Sequence, residues 1–435
     1  MPAELAAVAV LGDVHGNLPA LAAVLADLDG RPVDMIWDTG DLVGYLPFPR
    51  ACATLARRHG FVSVRGNWED ALALPDDRRR HADIYKRVRA ASRTWTRTAL
   101  GRAAATRLLA LPAHRTLALA GWEVRLAHAW PETPGPAAAV IGGHTHLAVI
   151  ERRRDRLFLN PGAVGRPADG DPRASYIILT ATPRGLRATL HRVRYDILPA
   201  ARALRRTRQP EALTQMLLEA CPLKEAVRRT AAVIDAGGSY GGALHAAAAF
   251  AARPGPDGEA HAWQVTRLAL QLFDGLRPLH ELGGRERFLL ELGALMHDIG
   301  YLRGAERHHK HSLELIMAAR SLPLDPLTRA VAGSIARYHR KAFPGAGHAH
   351  FARLTPRWRR VVTVLGGILR LADAFDYGHD QTVMRLTCRT AATRVGVRLF
   401  TAVPDPLLLP RAREKKDLIE HALGRRFDFR VTLSR

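Results

Sequence analysis

The pattern of hydrophobic and polar positions divides the chain into three stretches. Up to about residue 200, short apolar runs alternate with segments whose apolar residues recur every three or four positions, which predicts alternating strands and helices. From about residue 243 to 380 only the three- and four-residue spacing remains, which predicts helices. Residues 381–435 return to short strand-like runs around one helix at 415–423. We therefore predict a multidomain protein, α/β at its N-terminus and mostly α-helical at its C-terminus, with a small α+β tail.

The same pattern predicts individual elements. In the first stretch, strands are predicted at residues 8–12, 35–37, 61–64, 124–127, 140–142, 157–159 and 176–179, and helices at 18–28 and 51–58. In the second, helices are predicted at 263–272, 288–296, 313–320, 327–338 and 361–375. Between them, prolines and the glycine-rich run at 237–242 interrupt helical pieces, which predicts a helical linker at 201–242. The predicted domains are 1–200, 243–380 and a C-terminal extension at 381–435.

Composition narrows the class of protein. Of the 435 residues, 47% are hydrophobic and 24% charged, which is ordinary for a globular chain. The apolar runs are too short for a transmembrane helix, and no basic segment precedes the first of them as in a secretion signal. The cysteines Cys52, Cys221 and Cys388 are far apart and odd in number, which argues against a disulfide framework. We therefore predict a cytoplasmic protein without a membrane partner.

The charge favours an anionic partner. The formal net charge is +23, and residues 301–435 carry 25 basic and 11 acidic side chains, a net charge of +14. Such a surface suits a nucleotide, polyphosphate or nucleic acid, although a solvated arginine-rich surface explains the charge as well. Nucleic acid is the less favoured partner, because only 6% of the residues are aromatic and no zinc-binding cysteine pairs are present.

Side chains that can bind metals stand where several N-terminal strands are predicted to end. They lie in the segments GDVHGN, GDLVGY, GNWED, LAHAWP and GHTH, and are Asp13, His15, Asp41, Asn67, His128, His144 and His146. Sites of open α/β sheets form at the carboxyl ends of strands, so we expect these side chains to meet. Mixed oxygen and nitrogen ligands suit Mn²⁺, Fe or Zn²⁺ better than Ca²⁺ or Mg²⁺. Seven ligands predict two ions about 3.5–4 Å apart that share one carboxylate and a hydroxide nucleophile.

This ordered set resembles the calcineurin-like metallophosphoesterase superfamily over residues 5–195. The resemblance includes Asn160-Pro161-Gly162 after GHTH, a tail carried by small bacterial and archaeal phosphodiesterases. It implies a sandwich of two sheets flanked by helices and two-metal hydrolysis of phosphomonoesters or phosphodiesters. Among the catalytic residues it implies are Asp41, Asn67 and His128. Matching positions assign one metal, with Mn²⁺ as the expected ion, to Asp13, His15, Asp41 and His146, and the other to Asp41, Asn67, His128 and His144.

One position departs from that pattern. Many members of the superfamily carry a histidine after Gly-Asn, and this histidine helps to protonate the leaving oxygen. Here the position is Trp68, followed by Glu69. General acid catalysis contributes about 10²–10⁴-fold. The chain is therefore predicted to handle poor alcohol leaving groups badly, with Glu69 as the candidate substitute for the missing acid.

A second cluster of histidines and aspartates occurs in the helical stretch. His297-Asp298 stands at a predicted helix end, where both side chains can reach one ion. The segments around it resemble the His-Asp C-terminal module of the exopolyphosphatase/guanosine-pentaphosphatase family over residues 243–435. By matching positions, at least one divalent metal is held by His261, His297, Asp298 and Asp373. Two further residues, His311 and His339, match positions that bind extra metals in some His-Asp phosphohydrolases.

Basic residues flank this second cluster. Arg340 and Lys341 follow His339, and Arg370 precedes Asp373. Cations beside a metal site suit phosphate binding, and solvated helix faces are the alternative interpretation.

Three functions are compatible with the sequence. One is a phosphohydrolase whose His-Asp module acts on or senses nucleotide or polyphosphate ligands. Another has a single active N-terminal domain, with the module serving regulation or homodimerisation. The last is a nuclease or a repair phosphodiesterase, which only the net charge favours.

Overall fold

The computed structural model describes residues 7–75, 83–131, 133, 135–235 and 239–433. Contacts divide the chain between Arg229 and Thr230 into two compact units. This division falls within the segment predicted to be a helical linker, residues 201–242. Every helix among the described residues is too short or too polar to cross a lipid bilayer.

The first unit is built on two five-stranded sheets. Its strands are β1 (Ala7–Leu11), β2 (Met35–Asp38), β3 (Val62–Ser63), β4 (His114–Leu119), β5 (Trp122–Ala127), β6 (Ala139–Ile141), β7 (Ala148–Arg153), β8 (Arg156–Pro161), β9 (Ala174–Thr182) and β10 (Gly185–Val193). Its helices are α1 (Leu18–Leu28), α2 (Pro49–Arg58), α3 (Asn67–Ala71), α4 (Ile84–Leu100), α5 (Arg102–Leu109), α6 (Leu198–Arg206), α7 (Glu211–Glu219) and α8 (Leu223–Asp235), which crosses the division. The sheet orders are β10-β9-β1-β2-β3 and β4-β5-β6-β8-β7.

The central strand β1 shows how the two layers are held together. It pairs parallel with β2 and antiparallel with β9, and all five of its side chains are buried. Because side chains alternate along a strand, Val8 and Val10 pack with residues of the second sheet such as Ile141. Ala9 and Leu11 pack against α1 and α2 on the other face. This sandwich flanked by helices confirms the predicted N-terminal fold.

Several elements of the first unit that the sequence pattern does not predict lie at sheet edges or on the surface. Strands β4, β7 and β10 are edge strands with many exposed residues, so no apolar run marks them. Helices α4 and α5 were also missed, since arginines and threonines interrupt their narrow buried faces.

The second unit is helical with a small sheet. Its helices are α9 (Ser239–Ala251), α10 (Pro256–His280), α11 (Gly284–Leu295), α12 (His308–Ala318), α13 (Pro326–Arg337), α14 (Ala349–Ala352), α15 (Pro356–Ala374), α16 (Leu408–Lys415) and α17 (Asp417–Leu423), with a 3-10 helix at Ile299–Arg303. The strands β11 (Val383–Thr390), β12 (Arg394–Thr401) and β13 (Arg426–Leu433) follow one another in the sheet. One apolar core joins α10, α11, α13 and α15 to this sheet. The helical fold with a small sheet tail is confirmed.

Candidate metal centres

Most of the predicted N-terminal ligands lie in loops at the carboxyl ends of strands. These loops follow β1, β2, β5 and β6, and Asn67 begins α3 after β3. Five of the ligands have a positive φ between +51° and +69°: Asp13, His15, Asp41, His144 and His146. For residues other than glycine, such a conformation costs on the order of 1–3 kcal/mol and persists where the surroundings over-determine it, as at functional sites.

The first group of ligands converges in the interior. Nε2 of His15 lies 3.1 Å from Nε2 of His146. It also lies 3.7 Å from one carboxylate oxygen of Asp13 and 3.7 Å from one of Asp41. Nε2 of His146 is 3.2 Å from the same oxygen of Asp13. All four side chains are buried, and the ligand atoms of Asp13, His15 and His146 lie within 4.8 Å of one another.

The second group adjoins the first. Oδ1 of Asn67 lies 3.0 Å from Nε2 of His128 and 2.9 Å from Nδ1 of His144. Those two nitrogens are 3.2 Å apart. Oδ2 of Asp41 is 3.5 Å from Nε2 of His128 and 3.7 Å from Nε2 of His15. A single carboxylate oxygen therefore lies between the two groups, in the position of a bridging ligand.

Hydrogen bonds at the outer ring nitrogens orient these imidazoles. The outer nitrogen Nδ1 lies 2.8–3.3 Å from a backbone carbonyl oxygen in three of them: Val43 for His15, Thr39 for His128 and Arg166 for His146. A carbonyl only accepts, so a neutral ring carries its proton on Nδ1 and directs the lone pair of Nε2 inward. Oδ1 of Asp13 is buried and has no hydrogen-bond partner among the described residues. The Nε2 lone pairs and this carboxylate oxygen are therefore acceptors that point toward one another, an arrangement that fits divalent cations.

Burial and neighbouring charges set the protonation of these ligands. Burial, with the charge of His146, holds the pKa of His15 well below its usual value, so the ring is neutral and able to bind a metal. Burial also raises the pKa of Asp41, and the nearby carboxylates of Glu69 and Asp13 raise it further. A cation between these acidic groups would relieve their repulsion.

Glu69, the predicted proton donor, lies inside the loops of the first centre. Its carboxylate is fully buried and accepts hydrogen bonds from the backbone N–H groups of Gly66 and Asp41, both at 2.9 Å. It also accepts from Val43 N–H at 3.3 Å. Both oxygens are therefore bound inside the loops that carry Asp41 and Asn67. We expect Glu69 to hold these loops in position rather than to donate a proton.

We expect Glu69→Ala to lower the free energy of unfolding by about 3 kcal/mol or more, because three buried N–H groups lose their acceptor at about 1–3 kcal/mol each. Glu69→Gln, which keeps one acceptor oxygen, should lose less. Denaturant unfolding measures both. The neighbouring Asp70 pairs with Arg65 at the surface, so Asp70→Asn is the matched control and should change little. Unchanged stability with a rate loss larger for alkyl than for aryl esters would restore the general-acid role.

A pocket of about 250 Å³ adjoins the two ligand groups. Its walls include Tyr45, Trp68 and three basic residues: Arg89 of α4, Arg166, and Lys224 of α8. The guanidinium of Arg166 lies 4.5 Å from the ring centroid of Tyr45, and the buried indole of Trp68 lies 4.3 Å from the same ring. Positive walls favour an anionic substrate. Arg166 stands close behind the Asn-Pro-Gly tail, whereas no sequence motif marks Arg89 or Lys224.

The predicted C-terminal ligands also meet. Oδ2 of Asp298 lies 3.7 Å from Nε2 of His261 and 3.6 Å from Nε2 of His297. Oδ1 of Asp373 lies 3.2 Å and 3.5 Å from the same two nitrogens. These four residues come from α10, from the turn after α11 and from α15, so three packed helices bring them together.

A further group lies at the other oxygen of Asp298. Oδ1 is 3.3 Å from Nε2 of His308 and 3.6 Å from Nε2 of His339, and these nitrogens are 3.2 Å apart. The structure thus brings His308 rather than the predicted His311 to this place, because the first residue of α12 packs its ring against Tyr301, 4.2 Å away. In the part of the chain that the structure describes, His311 belongs to no group of candidate ligands.

The chemistry of this second centre also fits cations. Three of its rings place Nδ1 within 2.7–3.0 Å of a carbonyl oxygen in the preceding turn and direct Nε2 inward: His297, His308 and His339. Nε2 of His297 is buried without a hydrogen-bond partner among the described residues. Burial lowers the pKa of His261, but hydrogen bonds to Asp373 and Asp376 outweigh this effect and raise it to about 10. The carboxylates therefore attract positive charge to this centre.

The three predicted phosphate-binding residues differ in their placement. The guanidinium of Arg340 lies 3.4 Å from Nε2 of His308, beside the second centre. Lys341 is exposed. The guanidinium of Arg370 donates to Asp417 at 3.0 Å and to the carbonyl oxygen of Lys341 at 2.9 Å, so Arg370 connects α15 with α17.

A two-sheet sandwich with aspartate, asparagine and histidine ligands at its strand ends defines the class of metal-dependent phosphoesterases. Residues 7–183 match the family model for the calcineurin-like phosphoesterase superfamily domain, and residues 258–422 match that for Ppx/GppA phosphatase, domain III. The chain belongs to the calcineurin-like phosphoesterase superfamily through its first part and carries a Ppx/GppA domain III in its second. It is a hydrolase that acts on phosphoesters, and its superfamily implies divalent metals and phosphorylated substrates.

Three relatives of known sequence or structure each align with half of this chain or less. The metallophosphoesterase from Sphaerobacter thermophilus, a crystal structure, is 32% identical over 50% of this chain and 100% of that chain, with a TM-score of 0.42. The uncharacterized protein MJ0912 of Methanocaldococcus jannaschii is 28% identical over 240 residues, 48% of this chain and 96% of that protein. The phosphoesterase Yfce from E. coli is 20% identical over 43% of this chain and 100% of that chain, with a TM-score of 0.28.

Proposed function

We propose that the first unit hydrolyses phosphomonoesters or phosphodiesters with two divalent ions, Mn²⁺ being expected and Fe or Zn²⁺ the alternatives. The observation that carries this proposal is the position of Oδ2 of Asp41, within 3.7 Å of Nε2 of His15 and 3.5 Å of Nε2 of His128. When bound, two such ions polarise the phosphoryl group and activate a water molecule for attack. The side chains of the protein hold these ligands in place and bind the substrate.

These side chains hold the ligands and the substrate in place. The backbone N–H of Trp68 donates to Oδ1 of Asp41 at 2.7 Å, which leaves Oδ2 to face the centre. The backbone N–H of His144 donates to Oδ2 of Asp13 at 2.9 Å and joins the two loops. Arg166 lines the pocket, where its guanidinium can bind oxygens of the reacting phosphoryl group. The buried indole of Trp68 offers no proton to a leaving oxygen, so we propose a preference for acidic leaving groups.

Removal of divalent metal is expected to abolish hydrolysis of bis(p-nitrophenyl) phosphate, because the ligand atoms alone supply neither a nucleophile nor a phosphate-binding charge. Addition of Mn²⁺ should restore the rate, and Ca²⁺ should restore it poorly. Release of p-nitrophenol measures both. A protein shown by elemental analysis to be metal-free that keeps its full rate would refute the proposal.

We propose a further phosphohydrolase or ligand-sensing centre in the second unit. It is supported by Asp298, which presents one oxygen to each of two ligand groups, and by Arg340 beside one of them. A nucleotide or polyphosphate is the proposed ligand. The alternative, a regulatory or dimerisation module, would not need two ligand groups that share a carboxylate.

We propose a phosphorylated small molecule rather than nucleic acid as the substrate of the chain, and a cytoplasmic location.

A further inference from the structure

We propose that Arg89 and Lys224 form a subsite for a second phosphate group of the substrate, beside the N-terminal metal centre. This inference rests on the proposed phosphoesterase function and names a class of substrate for it. The class is a phosphoester that bears a further phosphate away from the reacting phosphorus.

The two cations share one pocket with the metal ligands. Residues of both ligand groups line it, including His15, Asp41 and Asn67, and so do Arg89 and Lys224. A substrate held with its reacting phosphorus at the metal ligands therefore extends into a space bordered by both basic side chains. At about 250 Å³, this pocket has room for more than a single phosphoryl group.

The guanidinium of Arg89 packs against the faces of two aromatic rings. Its central carbon lies 5.9 Å from the ring centroid of Trp68 and 5.9 Å from that of Tyr85, one turn earlier on α4. The side chain is exposed, and among the described residues no acidic group pairs with it. Cation–π contacts orient a guanidinium without occupying its N–H donors. Those donors remain available to an anion that enters the pocket.

Lys224 supplies the second charge from the start of α8. It is exposed and lacks an ion pair within the described part of the chain. Its neighbours on the same helix differ, because Arg228 and Arg229 both pair with Glu225. Arg229 also pairs with Glu219 of α7, so both arginines have carboxylate partners, whereas Lys224 has none among the described residues.

The charges in the pocket exceed what the reacting group requires. A phosphodiester carries one negative charge, which the metal centre and Arg166 can bind. Arg89 and Lys224 add two positive charges, which match a terminal phosphate of about −1.5 to −2 charge.

Two substrates that differ only in the distal phosphate test this subsite. They are thymidine 5′-(p-nitrophenyl phosphate) with and without a 3′-phosphate, which share the leaving group and the reacting centre. For the Mn²⁺-loaded protein we expect kcat/KM to be about 10-fold higher or more for the substrate with the 3′-phosphate. The reason is that this phosphate can form charge-assisted hydrogen bonds with Arg89 and Lys224. In Arg89→Ala and Lys224→Ala this ratio should fall, and in the double variant it should approach 1. Lys86→Ala, an exposed cation of α4 outside the pocket, should keep the wild-type ratio.

A wild-type ratio near 1, or a ratio that both substitutions leave intact, would overturn the subsite while the phosphoesterase function stands. If neither substrate is hydrolysed, the proposed function fails, and binding still decides the subsite. Calorimetry would then compare thymidine 3′,5′-bisphosphate with thymidine 5′-monophosphate. Tighter binding of the bisphosphate that disappears in the double variant supports the subsite. Equal binding in the wild-type protein and the double variant contradicts it.

Discussion

Asp41→Ala is expected to lower kcat/KM for an aryl phosphodiester by about 10³-fold or more, since it removes the ligand shared by both metal groups. The metal content of the protein should fall with the rate, because Asp41 presents one oxygen to both ligand groups. Elemental analysis and p-nitrophenol release on the same samples measure the two effects together.

Asp41→Asn separates loss of charge from loss of structure. The amide keeps an oxygen that can accept a hydrogen bond from the backbone N–H of Trp68. In the wild-type protein this N–H donates to Oδ1 of Asp41 at 2.7 Å. We expect it to fold like the wild-type protein and still to lose most of its activity. Asp29→Asn removes an exposed carboxylate after α1 and is the matched control. Activity of Asp41→Ala close to that of the wild-type protein would show that the bridging assignment is wrong.

His297→Ala combined with Asp298→Ala is expected to abolish the metal-dependent stabilisation of the second unit. An ion present at 100 times its dissociation constant stabilises a fold by about 2.7 kcal/mol, which corresponds to a shift in Tm of about 5–10 °C for a unit of this size. On addition of Mn²⁺, the Tm of the second unit should rise in the wild-type protein and stay unchanged in the double variant. Aryl phosphodiester hydrolysis by the first unit should persist in that variant.

Two histidines of α12 supply the control for this experiment. His308 lies within 3.3 Å of Asp298, so His308→Ala should reduce the metal-dependent shift. His311→Ala should retain it, because His311 lies outside the described ligand groups. A second unit whose Tm does not respond to metal would leave only the scaffold interpretation. Loss of N-terminal activity in the double variant would instead mean that the two units act together.

The sequence predicted elements and ligands where a strong local pattern exists. The helix at 18–28 was predicted with the bounds that α1 has, because its apolar residues recur at helical spacing. The N-terminal ligands were predicted as a set because each follows a strand, and strand ends meet at one edge of a sheet. Edge strands such as β10 carry no such pattern, since solvent accepts polar residues on both of their faces.

Features that depend on side-chain direction could not be predicted. Glu69 follows Trp68 in the chain, but only the fold shows that its carboxylate is directed into the loop of Asp41. The sequence pattern predicts that helix α12 begins at residue 313, but the helix begins at His308. Both His308 and His311 therefore lie on a turn that the pattern does not predict, and the sequence does not show which of them faces Asp298. Arg89 and Lys224 are two of 64 basic residues, and only tertiary structure brings them to the pocket.

Anomalous scattering from crystals of the Mn²⁺-loaded protein, recorded at the manganese edge, tests the central claim most directly. We predict two peaks in the first unit about 3.5–4 Å apart, one on each side of Oδ2 of Asp41. The first should contact His15 and His146, and the second His128 and Asn67. A single peak, or two peaks that Asp41 does not bridge, would contradict a two-metal phosphoesterase centre.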